Sequence, residues 1–187
     1  MELKEQLHLD SLVERLKHSD QKAYEEIFRL LHEPLLRYVC RITQDEGLAL
    51  DVLQDVFMKL WEKRETLDVQ ISFKAFVYAM TRNRALNINR RQSRITYNSE
   101  MIADAQLNAS GTVLEDKIHK DELDVFFKKW IKELPPRRAE AFVLSRFHAM
   151  SNREIGEIMG LSKRTVDTHI VHALRHLRRR YDYLRSN

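Results

Sequence analysis

Large apolar residues return every three or four positions over most of this chain, and strict alternation is sustained nowhere. That period belongs to helices rather than strands. Tyr24, Ile27, Phe28, Leu30 and Leu31 predict a helix that Asp20 can cap. Pro34 is expected to stop, kink or restart it, and residues 35–42 carry the pattern onward. Asp45 is a second cap, for a helix bearing Leu48, Val52, Val56, Leu60 and Trp61 and ending near Arg64. A polar loop at residues 65–71 follows. Ser72 can then cap a third long helix with Phe73, Phe76, Val77, Met80 and Leu86, fading into Arg90 and Arg91. At residues 92–112 the pattern dissolves, and Asn-Ala-Ser-Gly-Thr at 108–112 reads as a linker. Periodicity returns near Leu114 and lasts to Leu134. Pro135-Pro136 breaks it, with Pro136 suited to the first turn of a helix over residues 137–148.

Only 4 glycines and 3 prolines in 187 residues argue against a turn-rich β fold. The expectation is an all-α protein of two small helical domains, residues 1–95 and 121–187, joined by a flexible acidic linker at 96–120. Cys40 is the only cysteine, so no intrachain disulfide can form; it is expected to be small and buried. No stretch approaches the roughly 20 apolar residues of a membrane span, and the first ten residues lack a signal peptide's apolar core. A soluble, cytoplasmic protein is expected.

The region from Ser151 onward carries the densest local signals. Ser151 and Glu154 have the spacing of a capping box, with Met150 and Ile155 at the positions of a hydrophobic staple. Gly160 can end that helix in the left-handed conformation. Ser162 can cap the next, where Leu161 and Val166 repeat the staple. Two capped helices around a short glycine turn make a helix-turn-helix. In the second helix Val166, Ile170, Ala173, Leu174 and Leu177 share one face. Arg164, Thr165, Thr168, Val171, His172 and Arg175 point the other way. Arg164 can form a paired hydrogen bond with guanine, and threonine methyls and Val171 can touch thymine methyls. Ser162 and Lys163 sit at a helix N-terminus, where phosphate is favoured. Arg178 to Arg180 would add contacts to the DNA backbone.

Charge distribution supports a polyanionic partner. The net charge is only +4, yet residues 82–94 hold five arginines and no acid, and residues 137–180 hold ten basic residues against four acids. Between them, residues 99–124 carry seven acids against two lysines. Two basic blocks can neutralise phosphates, and the acidic stretch between them cannot lie on the same backbone. His169, His172 and His176 form a stripe at i, i+3, i+7, which suits phosphate contact or exposure better than zinc, since further ligands are lacking. No phosphate-cradling glycine loop and no catalytic Cys-His pair is present, so neither an enzyme, a metal, a cofactor nor a small-molecule substrate is expected.

The segment Ser-Lys-Arg-Thr-Val-Asp-Thr-His at 162–169, within its helix-turn-helix, resembles region four of bacterial sigma factors. It equally resembles the DNA-binding domain of LuxR-type regulators. A LuxR-type regulator, the alternative function, would need a sensing domain ahead of it, normally α/β. The first half of the chain bears on the choice. Residues 49–61, Ala-Leu-Asp-Val-Leu-Gln-Asp-Val-Phe-Met-Lys-Leu-Trp, are similar to region two of the extracytoplasmic-function sigma factors. Residues 73–91 are similar to that family's promoter-melting helix, with Phe76 where the family commonly has Trp and Leu50 where it commonly has Glu. The resemblance runs over residues 20–91 and 123–180 and looks most like the members expanded in Bacteroides-type bacteria.

The resemblance implies a dissociable specificity subunit of RNA polymerase. Asp51, Gln54, Asp55 and Met58, which share a face by i, i+3, i+4 spacing, would dock on the clamp helices of the core enzyme. A flipped base of the minus-ten element would lie against the loop 66–72, Leu67 included, and against Asn83. Arg82, Arg84, Asn87, Arg90 and Arg91 would line the opened strand. The outward face at 162–175, His169 with it, would read the minus-thirty-five element. The implied partners are core polymerase (clamp helices and flap), promoter DNA and, as the family allows, a membrane-bound anti-sigma factor.

Overall fold

The computed structural model describes residues 2–68, 72–100 and 122–186, with side chains at 7–68, 72–91 and 126–186. The described residues are helical throughout apart from short turns, and no strand occurs among them. The chain divides into two compact units, Met1–Leu114 and Glu115–Asn187.

In the first unit the helices are α1 (Glu2–Lys17), α2 (Gln21–Thr43), α3 (Glu46–Glu62) and α4 (Phe73–Glu100), with a 3₁₀ turn at Arg64–Thr66. Helix α1 lies ahead of the first helix expected from the pattern, although Leu9, Leu12, Val13 and Leu16 mark it at i, i+3, i+4, i+7 and are all buried. The three expected caps are present. Asp20 accepts from the amides of Lys22 and Ala23, Asp45 from Leu48 at 2.8 Å, and Ser72 from Ala75 at 3.1 Å.

One boundary that the sequence left open is resolved, and one differs from expectation. Helix α2 runs through Pro34 without stopping. Apolar anchors on both sides of the proline, Ile27 and Leu31 before it and Leu35, Leu36 and Val39 after it, are all buried, and their packing outweighs the lost hydrogen bond. Helix α4 continues past Arg91 to Glu100, into the segment expected as linker. The loss of an apolar face removes packing but no backbone bond, and neither Gly nor Pro intervenes before Gly111. Residues 101–121 lie outside the described residues. Cys40 is half-buried rather than buried. Tyr38 and Tyr78 meet in the core with tilted rings, 5.2 Å between centroids, and Phe73 is buried as well, so the two aromatics at the head of α4 serve the core.

The second unit holds α5 (Glu122–Lys132), α6 (Pro136–Phe147), α7 (Asn152–Met159) and α8 (Lys163–Ser186), with Pro136 in the first turn of α6. Trp130, Ile131 and Leu134 pack with Phe142, Val143, Ala173 and Leu177, joining α5, α6 and α8 in one core. This core fixes which side of α8 remains outward. Leu174 is an exception to the expected apolar face: it is 40% exposed. It adjoins Ala173 and Leu177 on the helix but falls at the edge of the stripe that α5 and α6 cover.

Candidate nucleic-acid interface

The turn between α7 and α8 is built by short-range bonds. The Glu154 amide donates to Ser151 Oγ at 3.3 Å, and the Ser151 amide donates back to Glu154 Oε2 at 2.8 Å. Gly160 ends α7 at φ 65°. Gly156 serves a second need: a Cβ there would lie 2.7 Å from the Leu161 carbonyl oxygen, so the chain leaving the turn passes where only hydrogen fits. Ser162 Oγ accepts from the Thr165 amide at 3.1 Å and starts α8. Across the turn, Asn152 Nδ2 donates to Asp167 Oδ1 and ties the start of α7 to the first turns of α8. Pattern reasoning missed this bond, because its partners lie fifteen residues apart on separate elements.

All nine residues expected to meet the minus-thirty-five element lie together, at the head of α8 and along one side of it. Ser162, Lys163, Arg164, Thr168, Val171 and Arg175 are exposed, and Thr165, His169 and His172 are half-buried. The Thr168 hydroxyl donates to the Arg164 carbonyl at 2.9 Å, which leaves its methyl as the group to offer a base. Val171, 51% exposed, is an apolar side chain left in water beside it. Burial holds His169 below the usual imidazole range, and the neighbouring charges of Arg138, Arg137 and His172 act the same way. Positive charge therefore extends from α8 onto the head of α6, where Arg137 is exposed.

The far end of α8 departs from expectation. Arg180 forms a two-pronged pair with Glu133, Nε to Oε2 at 2.7 Å and Nη2 to Oε1 at 2.5 Å, and His176 Nε2 lies 3.3 Å from the same carboxylate. Arg180 thus ties the α5–α6 corner to α8 and is not the free cation expected for the DNA backbone. Arg178 and Arg179 remain exposed.

In the first unit the expected residues sort less cleanly. On α3, Asp51, Gln54 and Met58 are exposed, Met58 at 52%, and Leu50 beside them is 45% exposed. Asp55 is half-buried at the seam with α4, where its Oδ2 accepts from Arg84 Nε at 2.6 Å and pairs with Nη2 as well. Two residues expected on different surfaces therefore hold each other. On α4, Asn83, Asn87, Arg90 and Arg91 are exposed along one stripe, while Arg82 is half-buried. Asn89 is committed inward, donating to the Ile42 carbonyl at 2.7 Å. Leu67 is 8% exposed, so in this conformation it packs under the loop and offers little surface to a base. Residues 69–71 of that loop lie outside the described residues. Among the described residues, no group of three His, Cys, Asp or Glu could hold a metal ion, and no helix is long and apolar enough to cross a membrane.

Comparison with known proteins agrees with this division. Residues 27–95 match the family model for sigma-70 region 2, and residues 128–177 match that for sigma-70, region 4. Together the two matches span more than half of the chain. Sigma factor SigZ of Bacillus subtilis is 29% identical over 138 residues, covering 74% of this chain and 75% of that protein. The extracytoplasmic-function sigma-E factor of Escherichia coli is 28% identical over 178 residues, covering 91% and 93%. Among solved structures, the sigma factor RpoE of Bartonella quintana, crystallised with the anti-sigma factor NepR, has a TM-score of 0.67 at 20% identity over 86% of this chain and 98% of its own. CnrH, in complex with the cytosolic domain of CnrY, has a TM-score of 0.63 at 20% identity over 92% and 96%. Those two likenesses carry the fold; the region models and the sequence relatives carry the kinship. The chain belongs to the sigma-70 family, as a sigma factor of the extracytoplasmic-function type built from regions 2 and 4.

Proposed function

We propose a division of labour between the two units of this sigma factor, which directs core RNA polymerase to promoters, assists their opening and has no catalytic chemistry of its own. The observation that carries it is the presence, on one chain and in this order, of a region 2 match and a region 4 match. A LuxR-type regulator is not supported: the half ahead of the helix-turn-helix is helical and matches region 2 rather than a sensing domain.

Residues 1–95 form the unit that docks on core and captures the opened minus-ten strand, residues 96–120 connect, and residues 121–187 read the minus-thirty-five element. The exposed stripe of Asp51, Gln54 and Met58 meets the clamp helices, with Leu50 adding apolar area where an acid is common in the family. Asn83 and Asn87 supply hydrogen-bonding edges for unstacked bases, and Arg90 and Arg91 supply cations for the strand. Melting is then a population shift, driven by preferential binding of the open strand. On α8, Arg164, Thr168 and Val171 read bases while Ser162 and Lys163 hold phosphate at the helix head.

Core polymerase and promoter DNA are the working partners. One solved neighbour is a sigma factor crystallised with an anti-sigma factor, which supports an anti-sigma protein as a third. That partner's anchoring in a membrane, this chain's placement in the cytoplasm and its kinship with the Bacteroides-expanded members rest on family resemblance.

The test is reconstitution. Purified chain is added to sigma-free core enzyme with a library of genomic fragments, and transcript starts are mapped. Discrete starts that require both components are expected. Tight binding to duplex DNA by the chain alone, without added initiation by core, would sink the reading.

A further inference from the structure

Asp55 sits at the α3–α4 seam rather than on the open docking stripe. Its Oδ2 receives both Nε, at 2.6 Å, and Nη2 of Arg84, and the two side chains are 35% and 31% exposed. The fork uses one edge of the guanidinium. Nη1 lies outside it, on the helix that exposes Asn83, Asn87, Arg90 and Arg91.

We infer that Asp55 is a positioning residue for Arg84: it holds the guanidinium in place for the backbone of the opened strand and is not a docking residue. The inference rests on the reading of α4 as the strand-binding helix. Arginine loses considerable rotamer freedom when it is fixed on a phosphate. A side chain already clamped by a carboxylate in the free protein has lost that freedom beforehand, so the contact forms at lower cost. The carboxylate also weakens the field of Arg84 towards phosphate. Arg90 and Arg91, both exposed on the same helix, supply attraction in its place, and Arg84 contributes a directed N–H edge. Towards core polymerase, Oδ2 is taken up by the guanidinium and the paired positive charge offsets that of the carboxylate, so Asp55 attracts a group there less strongly than an unpaired acid would. The exposed neighbours Asp51 and Gln54 are free of this competition.

The experiment uses full-length protein in holoenzyme. A promoter is first selected from a randomised duplex library by wild-type holoenzyme. Core affinity and the rate of opening, read by 2-aminopurine fluorescence, are then measured for Arg84→Ala, Asp55→Ala and the double variant. Each single change is expected to slow opening about fivefold, as for loss of one strong hydrogen-bonded contact, while core affinity stays unchanged. The double variant should be no slower than either single, because both remove the same contact. Asp55→Glu, which keeps the carboxylate, should restore most of the rate; a merely structural loss would not show this pattern. Where Ala destabilises the unit, Asp55→Asn takes its place. Weakened core affinity with normal opening in Asp55→Ala would make Asp55 a docking residue after all. Faster opening would make the pair a restraint. Either result overturns the inference. Normal opening in Arg84→Ala would instead break the reading of Arg84 itself, whereas slow opening there with normal opening in Asp55→Ala rejects the positioning role alone.

Discussion

Helices α7 and α8 of the second unit and helices α3 and α4 of the first carry the two candidate surfaces, and they are assembled by different means. The α7–α8 turn is held by bonds between near neighbours: Ser151 with Glu154, Ser162 with Thr165, and Gly156 where the departing chain passes. The polar residues of α3 and α4 are placed by bonds across long stretches of chain. Asp55 meets Arg84 twenty-nine residues on, and Asn89 meets the Ile42 carbonyl forty-seven residues back. A helical wheel resolves the outward face of α8 because one side of that helix is covered. Helix α3 packs against both α2 and α4, so some of its polar stripe falls at a seam. A surface set by local bonds can be read residue by residue. One set by packing can be read only as a face, until the seam is known.

The largest expected effects test whether the two regions are separate at all. Leu60 on α3 and Leu144 on α6 are both fully buried. Each change to alanine should cost its own unit about 3 kcal/mol through lost burial and the cavity left behind. Hydrogen exchange, followed amide by amide, should show Leu60→Ala loosening α2 to α4 while α6 to α8 stay protected, and Leu144→Ala doing the reverse. If Leu60→Ala loosens α6 as much as α3, the units fold as one and the proposed boundaries fail.

Smaller, but more specific, is the effect of dividing the two contacts. Arg164→Ala should relax preference at one upstream base pair by about 1–3 kcal/mol if the side chain pairs with guanine, and leave core affinity alone. Asp51→Ala combined with Gln54→Ala should lower core affinity and leave that base preference intact. The pair of measurements, holoenzyme selection from a randomised library and titration of core, separates the surfaces. Loss of both properties in either variant would mean the assignments overlap, as Asp55 and Arg84 already overlap in space.

The same contrast explains what the sequence disclosed. The all-α fold, the caps at Asp20, Asp45, Ser72 and Ser151, and the placement of the α8 residues were all legible, because caps and periodicity are local chemistry. Helix ends without glycine were harder. Ser19, Gln44 and Ala149 turn the chain with positive φ, a conformation that non-glycine residues adopt at a cost and do not advertise. Whether α2 would stop at Pro34 or run through it stayed open, because packing on either side decided it. Burial of Leu67 and the commitment of Arg180 to Glu133 were hidden for the same reason: each depends on a neighbour brought in by the fold.

The smallest effect concerns that last pair. The Arg180 fork holds the Glu133 carboxyl below the usual carboxylate range, and His176 adds to it. In the first unit Asp20 is lowered in the same sense, by Arg15 first and then by the amides that it caps. A carboxyl depressed in the folded state contributes stability above its unfolded pKa and loses it as pH falls through the folded value. Both contributions are therefore complete at neutral pH and fade only in acid, below the ordinary carboxylate range. Glu133 is exposed and Asp20 half-buried, and both ion pairs lie at the surface, so salt should mute each effect. The consequences differ with location. Protonating Asp20 removes charge from a cap whose backbone bonds remain, whereas protonating Glu133 releases the end of α8 that lies beyond the core residue Leu177. Once exchange is corrected for its intrinsic pH dependence, amides at residues 178–186 should therefore lose protection in the wild-type chain only below the ordinary carboxylate range, and Glu133→Gln should show the lower protection already at neutral pH. Protection at residues 178–186 that ignores both acid and the substitution would mean α8 holds its own end, and the fork is a surface pair without structural consequence.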